Sequence, residues 1–188
     1  MIKVGITGSI ASGKTTASKI LSHRRGPLFS ADLAVKELYQ NKNFRSLISK
    51  NFGLENNNQV KNSIKKLIFN DKSNLNKLER LIHPLVRKKL KKFTYLNKNK
   101  KFLFYEIPLL IESKLMKLFD VIIFIKSKKE LRLKRFKSKQ NNKKLFNLLD
   151  SKQMAENKKI KFCNYVVVNE KNLKILKKKL LTIIAKYE

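Results

Sequence analysis

The segment GSIASGKT, residues 8–15, constrains this chain more than any other stretch. It fits G-x-x-x-x-G-K-[ST] without deviation, and a chance match in a chain of this size has a probability of roughly 1% or less. The motif carries a structural requirement: a hydrophobic strand must run into the loop and a helix must leave it. IKVGIT at 2–7 reads as that strand, and TTASKILSHR as that helix, with Ala17, Ile20 and Leu21 on one side. The glycines let backbone N–H groups turn toward a phosphate, and the helix offers its positive end. Lys14 reaches the terminal phosphates, and the Thr15 hydroxyl suits Mg²⁺. Gly8, Ser9, Ile10, Ala11, Ser12, Gly13, Lys14, Thr15 and Thr16 are therefore the expected nucleoside triphosphate site. ATPases, GTPases and small-molecule kinases all use such a cradle, so other residues must decide the acceptor.

The rest of the chain alternates strand and helix. PLFS at 27–30, FLFYEIPLL from 102 to Pro108, FDVIIFI at 119–125 and NYVVVN at 164–169 read as further strands. Near-continuous apolar strands separated by helices indicate a parallel sheet covered on both faces, an α/β fold. ADLAVKELYQ, VKNSIKKLIF and SNLNKLERLIH have helical spacing, and a separate helix, VRKKLKKF, is expected to begin near Pro84. The lysine-rich stretch 126–162 reads as helical with a mobile tip at SKQNNKK, and NLKILKKKLLTIIAKY as an amphipathic helix on the sheet.

Charge narrows the class less than the motif does. Lys and Arg total 45 against 13 Asp and Glu, a formal +32, which attracts polyanions: nucleic acid, anionic membrane or a polyphosphate substrate. The lysines are dispersed beside many asparagines, as in a solvated coat, and no compact nucleic-acid recognition motif is present. A specific nucleic-acid partner is not expected, nor is an obligate protein partner. Cys163 is the single cysteine, which excludes an internal disulfide and a cysteine-based metal cluster. No stretch approaches 18 apolar residues and MIKVGITG is no signal peptide, so a cytoplasmic protein without membrane attachment is expected.

Candidates for the acceptor side follow from position. Asp32 comes just after the second strand, at the carboxyl edge where ligands bind in open α/β sheets. There it either takes the proton of an acceptor hydroxyl or holds a metal-bound water; the alternative is a cap for the helix LAVKELY. Glu106 emerges beside the cradle and would orient Mg²⁺ through water, Glu112 is a candidate for pairing with a basic residue, and Asp120 reads as structural. His83, in LIHPLVR, either joins two helices or hydrogen-bonds in the acceptor site. Arg132, Arg135 and Lys139 lie in one basic helical stretch, Arg135 and Lys139 one turn apart. Cations on a mobile segment there would neutralise a transferring phosphoryl group.

Taken together, these motifs resemble the dephospho-coenzyme A kinase family over nearly the whole chain. VGITGSIASGKTTASKIL, ADLAVKELY, LIHPLVR, EIPLLIES, Gln153 and NYVVVN match its segments in order and spacing. The resemblance implies a P-loop NTPase fold of nucleoside-monophosphate-kinase type. It has a five-stranded parallel sheet flanked by helices, in one domain over 1–188, with a helical substrate-binding region near 41–98 and a lid near 132–155. It implies ATP-dependent phosphorylation of the ribose 3′-hydroxyl of 3′-dephospho-CoA, giving CoA and ADP. ATP and Mg²⁺ would be held by Lys14 and Thr15. Asp32 would be the general base, His83, Arg132 and Lys139 acceptor-side or lid contacts, and Arg135 the leading lid cation. Three positions depart from the family pattern. Ser30 stands where an acidic residue is usual, Glu106 where aspartate is usual, and Lys139 where arginine is expected. The alternatives are another small-molecule kinase on this scaffold, acting on a nucleotide or sugar acid, and an ATP-regulated nucleic-acid-binding protein.

Overall fold

The computed structural model describes residues 1–57, 59–71, 73–140 and 142–188. Five strands, β1 (Ile2–Gly8), β2 (Leu28–Ser30), β3 (Phe102–Glu106), β4 (Val121–Lys126) and β5 (Tyr165–Val168), form one parallel sheet in the order β2-β3-β1-β4-β5. The helices are α1 (Lys14–Ser22), α2 (Ala31–Gln40), α3 (Lys42–Phe52), α4 (Val60–Asn70), α5 (Ser73–Leu96), α6 (Lys129–Lys137), α7 (Lys143–Lys152), α8 (Glu156–Ile160) and α9 (Leu173–Ile184). They fall into two compact units, Met1–Ser30 with Asn97–Glu188, and Ala31–Leu96.

Side-chain alternation explains the sheet unit. Val4 and Ile6 of β1, Phe102 and Phe104 of β3, and Val121, Ile123 and Ile125 of β4 share one face. There they pack on Ala17 and Leu21 of α1 and on Leu176, Leu180 and Ile183 of α9. The opposite face meets the segment after β3: a Cβ on Gly5 would stand 2.8 Å from Leu110, and Tyr105 meets Phe119 edge-on at 5.2 Å. Burial on both faces is what permits the unbroken apolar runs of β3 and β4. The expectation fails at the edge, where Val166 and Val168 of β5, the last strand of the sheet order, stay 40% and 38% exposed while Val167 between them is buried.

The helical unit has its own core: Leu38, Phe44, Ile48, Val60, Ile64, Leu78 and Ile82. Asn41 caps α3 by accepting from the N–H groups of Asn43 and Phe44, and Gly53 ends it at φ +62. The break expected at Pro84 does not occur, since α5 runs through it for 24 residues. Proline removes one backbone donor, but Leu78, Ile82 and Leu90 keep a buried stripe on both sides of it, and that packing holds the helix together. The strand expected to reach Pro108 ends at Glu106. Among the described residues, no helix is long and apolar enough to cross a membrane.

Candidate active site

The loop between β1 and α1 has the backbone its glycines require. Gly8 at φ +150 brings the chain so close to β4 that a Cβ would stand 2.4 Å from the Ile125 carbonyl, and Gly13 enters α1 at φ +99. No side chain caps α1, so the helix turns its unmasked positive end to the loop. Lys14 is 7% exposed and its Nζ donates to the Gly8 carbonyl at 3.1 Å and to the Ser9 carbonyl at 2.9 Å. This fixes a positive charge inside the turn, where an anion would be neutralised.

Glu106 ends β3, in register with Ile6 of β1 and Ser30 of β2. It is 2% exposed, and its carboxylate accepts from Thr15 Oγ1 at 2.5 Å and from Ser18 Oγ at 3.5 Å. A hydroxyl against a carboxylate is a pair of hard oxygen donors, the kind Mg²⁺ takes when phosphates and water supply its other ligands. The residues present therefore fit the ion. Among the described residues, no group of three or more His, Cys, Asp or Glu side chains gathers to hold a metal unaided.

A second layer grips the loop from the far end of the chain. Ser9 Oγ donates to Glu156 at 2.5 Å and Ile10 N–H to Gln153 at 3.0 Å. Arg132 is 6% exposed; its Nη1 reaches Asp150 at 2.6 Å and the Ile10 carbonyl at 3.4 Å, and Glu156 stands 3.8 Å from its Nε. Arg135 donates to the Ser12 and Asn169 carbonyls at 3.4 and 3.0 Å and to Ser127 Oγ at 3.0 Å. Both arginines therefore sit against the phosphate loop. Lys139 does not share their helix, contrary to the reading of one continuous stretch. Ser138 closes α6 and Gln140 turns at φ +59, which leaves Lys139 exposed beyond the last turn. The tip expected at 138–144 includes Asn141, which lies outside the described residues.

Glu112 pairs with a base, as one reading of it allowed. Its Oε1 meets the fully buried Lys159 Nζ at 2.6 Å and accepts from Met154 N–H at 3.1 Å. The pair anchors the segment that carries Gln153 and Glu156. Beside it, burial pushes the Cys163 thiol up to about 11, against the opposing charge of Lys159, so this thiol stays protonated and unreactive near neutral pH. Asp120 is structural, accepting from Lys3 N–H at 2.7 Å.

The other two candidates belong to the helical unit. Asp32 is exposed in the first turn of α2, which starts at Ala31, so it is not the cap of that helix. Its charge complements the helix's positive end, and it follows the last residue of β2 by two positions. His83 is half-buried on α5 before Pro84. Residue-by-residue reading missed Asn169, Glu156 and Asp150. Only Asn169 carried a signal, as a polar residue at the carboxyl end of a strand.

A family model described as dephospho-CoA kinase matches residues 2–174. The dephospho-CoA kinase of Bartonella quintana (strain Toulouse) is 35% identical over 186 residues, covering 96% of this chain and 95% of its own. The crystal structure of TT1252 from Thermus thermophilus matches with a TM-score of 0.80 at 25% identity, over 98% of this chain and 97% of that one. Dephospho-CoA kinase from Campylobacter jejuni matches at 0.68 with 28% identity, over 98% and 96% of the two chains.

Proposed function

Because the chain belongs to the dephospho-CoA kinase family, we propose that its phosphate loop binds ATP with Mg²⁺ and that Asp32 activates the acceptor. The reaction is ATP-dependent phosphorylation of the ribose 3′-hydroxyl of 3′-dephospho-CoA, giving CoA and ADP. The proposed compartment is the cytoplasm, as is usual for this kinase family. The observation that carries the site reading is the buried Lys14 ammonium bonded to two carbonyls of the loop it follows.

Each residue then has a task. Lys14 and the positive end of α1 neutralise the phosphate chain, and Thr15 with Glu106 would hold Mg²⁺. The ion's contribution is to offset charge on the phosphoryl oxygens. Asp32 orients the 3′-hydroxyl and takes its proton as the new oxygen–phosphorus bond forms; the bond between the γ-phosphorus and the bridging oxygen breaks, and ADP leaves. Arg135 supports the transferring group from the sheet side, with Arg132 and Lys139 as further cations of the segment 132–155, proposed to act as a lid. The helical region, with His83, would receive the acceptor. The charge of Arg132 faces the carboxylates of Asp150 and Glu156, whereas the contacts of Arg135 are to neutral carbonyls and a hydroxyl, which supports Arg135 over Arg132 as the cation nearest the chemistry.

The test is CoA formation from ATP and 3′-dephospho-CoA, product mass included, with Asp32→Asn run beside the parent. We expect kcat to fall by about 10²–10⁴ in the variant, with ATP binding retained. A well-folded, ATP-binding parent that makes no CoA would overturn the reaction; a variant with parental kcat would overturn the base.

A further inference from the structure

The residue after β5, Asn169, is 8% exposed, and its side chain reaches the phosphate loop. Its Nδ2 donates to the Ser12 carbonyl at 2.8 Å. The same nitrogen fills the space beside Gly13, where a Cβ would stand 2.2 Å away. Its backbone oxygen accepts from Arg135 at 3.0 Å and from Ser127 Oγ at 3.1 Å. One residue thus fixes a loop carbonyl, occupies the glycine's open side and anchors a cation.

A trans peptide is planar, so its C=O and N–H point in opposite directions. Holding the Ser12 oxygen against Asn169 therefore aims the Gly13 N–H away from β5. Glycine at φ +99 offers little resistance to rotation of the peptide before it, so the orientation needs an external hold. A rotated peptide would offer a phosphate an oxygen lone pair in place of a donor.

We propose that Asn169 is a positioning residue that sets the Ser12–Gly13 peptide so that the Gly13 N–H receives a phosphate of ATP, and that couples this peptide to Arg135. The inference rests on the reading that ATP phosphates occupy this loop.

The experiment compares the parent with Asn169→Asp and Asn169→Ala in steady-state kinetics, ADP titration calorimetry and thermal unfolding. Aspartate keeps the shape but replaces the donor with an acceptor facing the Ser12 carbonyl; alanine only removes the donor. The expected order is a KM for ATP raised on the order of tenfold or more in Asn169→Asp and less in Asn169→Ala, with the KM for 3′-dephospho-CoA within about twofold of the parent. A role in packing alone predicts the reverse order, because aspartate fills the space that alanine empties. In ¹⁵N spectra the Gly13 amide should shift on ADP addition in the parent and respond weakly in both variants, a readout that holds even for a destabilised variant. Parental ATP affinity in Asn169→Asp, or equal increases in the two KM values, would overturn the proposal. A folded parent that binds neither ATP nor ADP would overturn the site reading and this inference with it.

Discussion

Around the phosphate loop, polar side chains bond across the whole chain: Thr15 to Glu106, Ser9 to Glu156 and Asn169 to Ser12, separations of 91, 147 and 157 residues. In the helical unit the polar bonds are mostly local, as between Asn41 and Phe44, Asp71 and Ser73, or Ser49 and Glu55. Two longer ones there, Lys89 to Glu37 and Lys77 to the Asn51 carbonyl, are exposed. What joins those helices is apolar contact among Phe44, Ile48, Val60, Ile64, Leu78 and Ile82. Directional bonds fix individual atoms, and apolar contacts fix only volumes. The first region is thus organised before any ligand arrives, whereas the second can adjust by sliding side chains.

The sharpest way to break this comparison is at Lys159, whose ammonium is fully buried against Glu112. Lys159→Met leaves a carboxylate without its partner and should cost about 3–5 kcal/mol, read by urea unfolding, with the KM for ATP rising because Gln153 and Glu156 lose their anchor. A variant as stable as the parent would mean that the grip on the loop does not depend on the pair. In the helical unit, Ile48→Ala should cost about 2–5 kcal/mol through the cavity it leaves. Its kinetic effect should fall on the KM for 3′-dephospho-CoA and spare that for ATP. Equal effects on both would show that the two regions are not independent. The smallest effect is expected at Asp71, where hydrogen bonds from the Ser73 hydroxyl and N–H hold the carboxyl below its ordinary value. A depressed carboxylate stabilises the fold above its unfolded pKa and loses that contribution as pH falls through the native one. Asp71→Ala should therefore melt slightly below the parent at pH 6, with the gap closing toward pH 3. A gap that persists in acid would assign the effect to something other than this charge.

The same contrast explains how much could be read from sequence. The β1, loop and α1 unit was legible because all its determinants are neighbours in the chain, and the strands followed from their apolar runs. Asp32 and Glu106 became candidates from their places at strand ends. Arg132 reads only as an acceptor-side or lid cation and Gln153 only as a match to the family; that they and Glu156 grip the loop was not legible, because nothing local marks contacts more than 120 positions apart. Pro84 misled for the complementary reason: a local rule predicted a break, and the buried stripe of α5 overrode it. Lys139 was named with the two arginines, but its place outside α6, beyond Ser138 and the helix end at Lys137, depends on turn geometry that composition does not reveal.

The position of β1 at the centre of the sheet has a consequence for synthesis. It leaves the ribosome before the other four strands, yet its neighbours β3 and β4 begin only at Phe102 and Val121. At about 5–20 residues per second, an apolar strand with two open edges waits roughly 5–20 s for its first partner. The intervening Ala31–Leu96 is contiguous and draws its core from its own residues, so it can condense during that delay. The nascent chain is most open to aggregation and to chaperone capture between these two events, and slowing elongation just before Phe102 should lower the yield of folded protein.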